Sequence, residues 1–199
     1  MRYEQAVSYA RERLQSELPP HLHYHGATHT SNDVVPAVSR LAEMEGIQGE
    51  PLHLLMTAAW YHDIGYVERP VHHELLGARI AREVLPTFKY TPRQVEAINW
   101  AILATALPQS PQNHLEQILC DADLDVLGRE DFWPRNRALR RELAELGKEF
   151  TDAQWYAGQL KFIEPHAYFT ASARTLRDDG KALHVQELRQ ALQQAEAGD

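Results

Sequence analysis

Apolar residues recur along the chain with a helical period. Tyr3, Ala6, Val7, Ala10 and Leu14 fall on one helical face, and Pro19-Pro20 stop that helix. His21 to Thr30, rich in histidine and broken by Gly26, reads as a polar loop. The next helix is predicted from about Ser31 to Glu45, with Val34, Val35, Val38, Leu41 and Ala42 turned inward. Its Pro36 sits early, where a missing amide donor costs least, and Gly46 and Gly49 close it. From Pro51 the run PLHLLMTAAWYHD is apolar on nearly all sides, which predicts a central helix with Gly65 as its C-terminal cap.

Further helical patterns run from His72 to Leu85, from Thr91 to about Ile102, from His114 to Leu127 and from Phe132 to Phe150. Two capping boxes, Thr91 to Gln94 and Thr151 to Gln154, mark helix starts. The second opens a helix carrying Trp155, Leu160 and Phe162, which Pro165 interrupts. A last amphipathic helix is predicted from Lys181 to Ala197. No alternating run of β-branched residues is long enough for a strand. The expected class is all-α, a single helical bundle over 1–199, with a core region at about 21–128 and C-terminal helices over 129–199.

Composition narrows the field. Of 199 residues, 44% are apolar, enough to bury a substantial core. The formal net charge of -8 argues against nucleic acid or an anionic membrane as partner, since both need a basic footprint. A single cysteine, Cys120, excludes an intrachain disulfide and a cysteine zinc site, and its apolar neighbours mark it as a small buried hydrophobe. There is no signal-like N-terminus and no apolar run of ~18 residues, so a cytoplasmic protein is expected.

Four residues carry candidate chemistry: His29, the pair His62-Asp63 and Asp123. Imidazole and carboxylate together suit a divalent cation such as Mn, Fe, Co, Ni or Zn, and four protein ligands leave octahedral positions for water. His62-Asp63 ends the most apolar helix, where a buried carboxylate demands a partner. In LCDADLDVLG, Asp121 and Asp125 share a helical face while Asp123 faces elsewhere, so one of the three enters a site and the others support or face solvent. His25 and His29 have the spacing of a zinc protease helix, but Gly26 stands where the general-base Glu belongs. His21, His23 and His25 therefore read as surface polar residues.

The order His, His-Asp, Asp resembles the HD-domain superfamily of metal-dependent phosphohydrolases. YHGATHTSNDVV around His29, AAWYHDIGY around His62-Asp63 and ILCDADLDVLG around Asp123 carry the likeness. It implies that His29, His62, Asp63 and Asp123 bind one divalent metal (Mg included among the candidates). The Ala-Asp pair picks Asp123 over Asp121. It also implies hydrolysis of a phosphomonoester or phosphodiester, usually of a nucleotide, with Asp63 positioning the attacking water.

Tyr66 and Val67 occupy the positions where stringent-response hydrolases of the superfamily carry an acidic pair, and a nucleotidase branch has Glu at the Tyr66 position. Another branch adds histidines for a second metal, near His72-His73-Glu74 and His114. Asp121, His73, Arg79 and Arg174 are candidates for supporting the site or binding substrate, with Arg69 and Lys161 as further phosphate-clamp candidates. The expected partner is a small phosphorylated metabolite or nucleotide, with a homo-oligomer left open. The rival readings are a non-catalytic nucleotide-binding signalling module and a di-iron oxygenase.

Overall fold

The order of helices is α1 (Tyr3–Glu17), α2 (Val35–Met44), α3 (Gly49–Tyr61), α4 (His73–Val84), α5 (Pro92–Ala104), α6 (His114–Asp123), α7 (Phe132–Glu145), α8 (Asp152–Ile163) and α9 (Ala171–Gly198). These come from a computed structural model that describes residues 1–198. No strand occurs among the described residues, so the all-α class holds. The central element is α3, packed against α1, α2, α5 and α6. Its Leu55, Thr57, Ala58, Ala59, Trp60 and Tyr61 are all buried, as a helix apolar on every side requires. Thr57 and Tyr61 meet their polar needs locally. The Thr57 hydroxyl reaches the His53 carbonyl at 2.7 Å and the Tyr90 hydroxyl at 2.8 Å, and Tyr61 donates to the Ala6 carbonyl at 3.0 Å.

Both capping boxes form as expected, at Thr91 and Thr151. Several boundaries differ from the sequence reading, each for a physical reason. The second helix starts earlier, because Ala27 and Thr28 are already helical and His29–Val34 forms a π-helical turn that runs straight into α2. The Val35 amide bonds back five residues to the Thr30 carbonyl. Pro36 removes a donor and crowds the preceding turn, and a widened turn just before it relieves both.

Gly65 does not cap α3. It lies in a short 3-10 turn, Ile64–Val67, where any Cβ would collide with the His73 backbone carbonyl and come within 2.9 Å of the Gly77 amide. The glycine is there so that this turn can lie against α4.

The helix α7 ends at Glu145, short of Phe150, because Gly147 adopts a positive φ of 80° and the Lys148 amide closes back on Leu143. The helix predicted to end at Leu127 stops at Asp123 and tightens into a 3-10 turn over Asp125–Gly128. The last helix begins at Ala171, ten residues before Lys181. Gly180 sits inside it, backbone to backbone with Gly128.

Candidate metal centre

Two helix ends and one π turn bring the four candidate residues together. His29 opens the π turn, His62 is the C-cap of α3, Asp63 follows it, and Asp123 is the last residue of α6. His29 Nε2 lies 3.2 Å from Asp123 Oδ1 and 3.6 Å from Asp63 Oδ2. His62 Nε2 lies 3.4 Å from the same two oxygens. His29, His62 and Asp123 each present a ligand atom within 4.8 Å of the others. Ligands ~2.1 Å from one ion and at right angles to each other stand ~3 Å apart, so the observed spacings suit a shared cation.

The polar bookkeeping points the same way. His62 is 1% exposed, and its Nδ1–H donates to the Ala59 carbonyl at 2.7 Å. That bond fixes the tautomer and turns the Nε2 lone pair inward, as a metal-binding histidine requires. His62 Nε2 and Asp63 Oδ2 are both buried and have no hydrogen-bond partner. Such orphans are costly unless a ligand satisfies them. Two carboxylates and two neutral imidazoles carry a charge that one divalent cation cancels. The residues therefore fit such an ion.

With protons as the only cations, burial opposes charge on His62, yet Asp63 and Asp123 outweigh it and hold the imidazole well above its usual range. Burial likewise opposes ionisation of Asp63 and Asp123, and the neighbouring histidines reverse this and hold both carboxyls below the ordinary carboxylate range.

His73, at the start of α4, also reaches the centre. Its Nε2 is 3.3 Å from Asp63 Oδ1 and 3.4 Å from Glu74 Oε1, while Nδ1 bonds the Pro70 carbonyl at 3.1 Å. Asp63 thus faces His29 and His62 with one oxygen and His73 with the other.

The other candidates are placed elsewhere. Asp121 accepts bonds from the Phe169 and Thr170 amides, both at 2.8 Å, and from the Thr170 hydroxyl at 2.7 Å. It pins the start of α9, and burial still raises its carboxyl above the usual value despite those donors. Asp125 faces the same way and pairs with Arg177 at 2.7 Å and Arg40 at 3.1 Å. Arg79 is committed to Glu68 and Glu83 on an exposed face, and Arg174 to the Tyr168 and Phe169 carbonyls. His72 holds a positive φ of 58° just before α4, and His114 pairs with Glu45.

Sequence reasoning missed one pair. His25 is half-buried, and its Nδ1 sits 2.5 Å from Glu142 Oε1 of α7, which is itself 2% exposed. Glu142 Oε2 also accepts the Tyr24 and His25 amides at 2.8 and 3.0 Å. Burial works against this carboxylate, and His25 with the two amides holds it below the usual range. The His25 ring stacks on Tyr66 at 4.6 Å and stands 5.9 Å from the His29 ring. The four-residue spacing of His25 and His29 was the available signal; nothing marked the partner 117 residues away.

Comparison with known proteins follows this geometry. The HD domain family model matches residues 33–125. That stretch holds His62, Asp63 and Asp123, and His29 lies just before it. Among solved structures, the chain is similar to a predicted HD superfamily hydrolase from an uncultured Thermotogales bacterium, solved by crystallography at 1.45 Å. The two share 23% identity over 96% of this chain and 91% of that one, with a TM-score of 0.61. This second likeness is one of fold. Taken together, residues 33–125 match an HD domain and the chain shares the fold of that structure.

Proposed function

We propose that the protein is a metal-dependent phosphohydrolase that cleaves a phosphate ester at the centre formed by His29, His62, Asp63 and Asp123. The observation that carries this reading is the pair of buried, unpartnered atoms His62 Nε2 and Asp63 Oδ2, which face each other across a cluster of carboxylates and imidazoles. A purely structural cluster would satisfy them with protein groups. When bound, a divalent cation supplies positive charge to a phosphoryl oxygen and lowers the pKa of a water to roughly 7.

The chain's own groups do the rest. Asp63 and Asp123 provide the charge that retains the ion, and Asp63 Oδ1 on the His73 side is placed to orient a water. His25 keeps a proton on Nδ1 through Glu142, so its Nε2 is the ring position that exchanges a proton with the leaving oxygen. Tyr24 and Tyr66 stay protonated, because burial and the nearby carboxylates push both phenols up. They exclude water without adding charge.

One observation favours a second cation beside the first. His73 Nδ1 donates to Pro70, which leaves its Nε2 lone pair facing Asp63 Oδ1 and Glu74. His73 and Glu74, with the second oxygen of Asp63, would hold that ion.

The test is metal content per chain by elemental analysis, after loading with Mn, Co, Ni, Fe, Zn or Mg, in wild type, His62→Ala and His73→Ala. A panel of phosphomonoesters and phosphodiesters is run on the same samples. Bound metal and hydrolysis lost together in His62→Ala are expected. A drop from two ions to one in His73→Ala supports the paired site. A folded wild type that takes up none of the six metals refutes the reading.

A further inference from the structure

A half-open pocket lies beside His25. Its volume is about 230 Å³, and Tyr24 and His25 are part of its lining. The Tyr24 ring stands 5.1 Å from the His29 ring, and Leu124, another wall residue, follows Asp123 in the chain. The rest of the lining is largely apolar, with Leu127, Phe132, Leu139 and Phe162 contributing. Leu107, 61% exposed, forms the rim.

Resting on the phosphohydrolase reading, we infer that this chamber receives the leaving alcohol of the substrate, and that the alcohol is compact, uncharged and apolar or aromatic. The electrostatics decide this. The chamber has one cationic side chain, Arg135, and its guanidinium is committed to Asp33. Nothing remains there to neutralise a second phosphate, which would need unshared Arg or Lys donors. A nucleoside polyphosphate is therefore a poor occupant.

The polar lining is sparse. Asn136 accepts from Trp155 Nε1 at 2.8 Å and donates to Gln159 Oε1 at 2.6 Å. That leaves the Gln159 amide N–H groups as donors for one acceptor on the alcohol. The volume lies below the ~300–1,000 Å³ of pockets that hold drug-sized ligands, so the group is small.

The reaction is ordinary hydrolysis. Water oxygen bonds to phosphorus and the bond from phosphorus to the alcohol oxygen breaks. One water proton ends on the alcohol, by way of His25, and the other remains with the phosphate.

The experiment compares 2-phenylethyl phosphate with glycerol 1-phosphate, two primary alkyl esters of different polarity, on metal-loaded protein. Binding of 2-phenylethanol alone is measured by calorimetry. The expected result is kcat/KM at least tenfold higher for the phenylethyl ester and saturable binding of the alcohol. In Leu139→Asp the kcat/KM ratio of the two esters falls towards one and the alcohol no longer binds. Leu107→Asp, at the exposed rim, repeats the comparison with little risk to folding.

Equal kcat/KM for the two esters, or no binding of the alcohol, overturns the inference. Alcohol binding that both variants abolish, with neither ester hydrolysed, supports the chamber and counts instead against the hydrolase reading.

Discussion

Removing the Asp121 carboxylate should unfasten α9 while leaving the metal centre intact. Asp121 lies two residues before Asp123, yet its three hydrogen bonds all go to Phe169 and Thr170. Thr170 in turn caps α9, its hydroxyl accepting the Ala173 amide at 3.1 Å. In Asp121→Ala the Phe169 and Thr170 amides lose their acceptor in a buried setting, at roughly 1–3 kcal/mol each. The carboxylate is itself strained by burial, as its raised pKa shows, so truncation recovers part of that cost.

The net loss comes to about 3 kcal/mol, which for a chain of this length lowers Tm by roughly 6–12 °C. Asp121→Asn keeps one acceptor oxygen and should lose about half as much. Urea denaturation gives the stability, and elemental analysis at a temperature where each variant is folded gives the metal. Lower stability with unchanged metal content is expected. If Asp121→Ala kept wild-type stability and lost its metal, Asp121 would belong to the metal centre and the account of α9 docking would be wrong.

Two glycines predict opposite signs for the same change. Gly180→Ala gains up to ~1 kcal/mol of helix propensity, but its Cβ would collide with the Gly128 carbonyl oxygen and come within 3.0 Å of that carbon, so a net loss of about 2–3 kcal/mol is expected. Gly158→Ala in α8, with nothing within 4 Å of the new Cβ, should instead stabilise by up to ~1 kcal/mol; thermal melts that give both variants the same sign would contradict the packing argument.

Acid should act through His166, whose pKa burial and the Lys181 charge lower to about 4. A depressed folded-state pKa means stability fully present above the unfolded value of ~6.5 and lost as pH falls towards 4. Between pH 7 and pH 5 the full shift corresponds to about 2 kcal/mol, which partial solvent exposure reduces to about 1 kcal/mol. His166→Leu should narrow the pH 7 to pH 5 stability gap by that amount in urea titrations, and an unchanged gap would remove His166 as the source.

Features written locally in the chain were legible. Thr91-Pro92-Arg93-Gln94 and Thr151-Asp152-Ala153-Gln154 satisfy their own orphan amides, so the sequence alone places those helix starts. The four candidate residues stood out because a buried carboxylate at the end of an apolar helix demands a partner, and because their order along the chain resembles the HD-domain pattern. Asp121 and Asp125 share a face as their spacing requires, and that face turns out to be the one that meets α9.

What stayed hidden depends on the chain meeting itself at a distance. Gly65 looks like a cap when read locally, and the last helix reads as starting only after Gly180. The reason for both glycines is a backbone on another element that leaves no room for a Cβ. The role of His25 is set by Glu142, and no short-range pattern links the two. The π turn at His29–Val34 reflects a compromise between Pro36 and the continuous helix around it, which propensity rules resolve as a boundary.

The placement of the centre also constrains how it can work. His62 and Asp123 stand at the C-terminal ends of α3 and α6, where aligned peptide dipoles present their negative pole. Asp63 and Asp123 add two carboxylates to that field. An arrangement so negative attracts cations and repels a phosphate monoester. The usual phosphate-binding device is the opposite one, a helix N-terminus with its amides exposed. The basic residues nearby do not reverse the sign, since Arg129 and Arg135 are paired with Asp33, and Arg40 and Arg177 with Asp125. On the proposed reading, affinity for an anionic ester would have to come from a cation held by these four residues. On the same reading, the protein's own contribution to substrate choice would lie in the largely apolar pocket beside His25, which would sort a leaving group by shape and polarity.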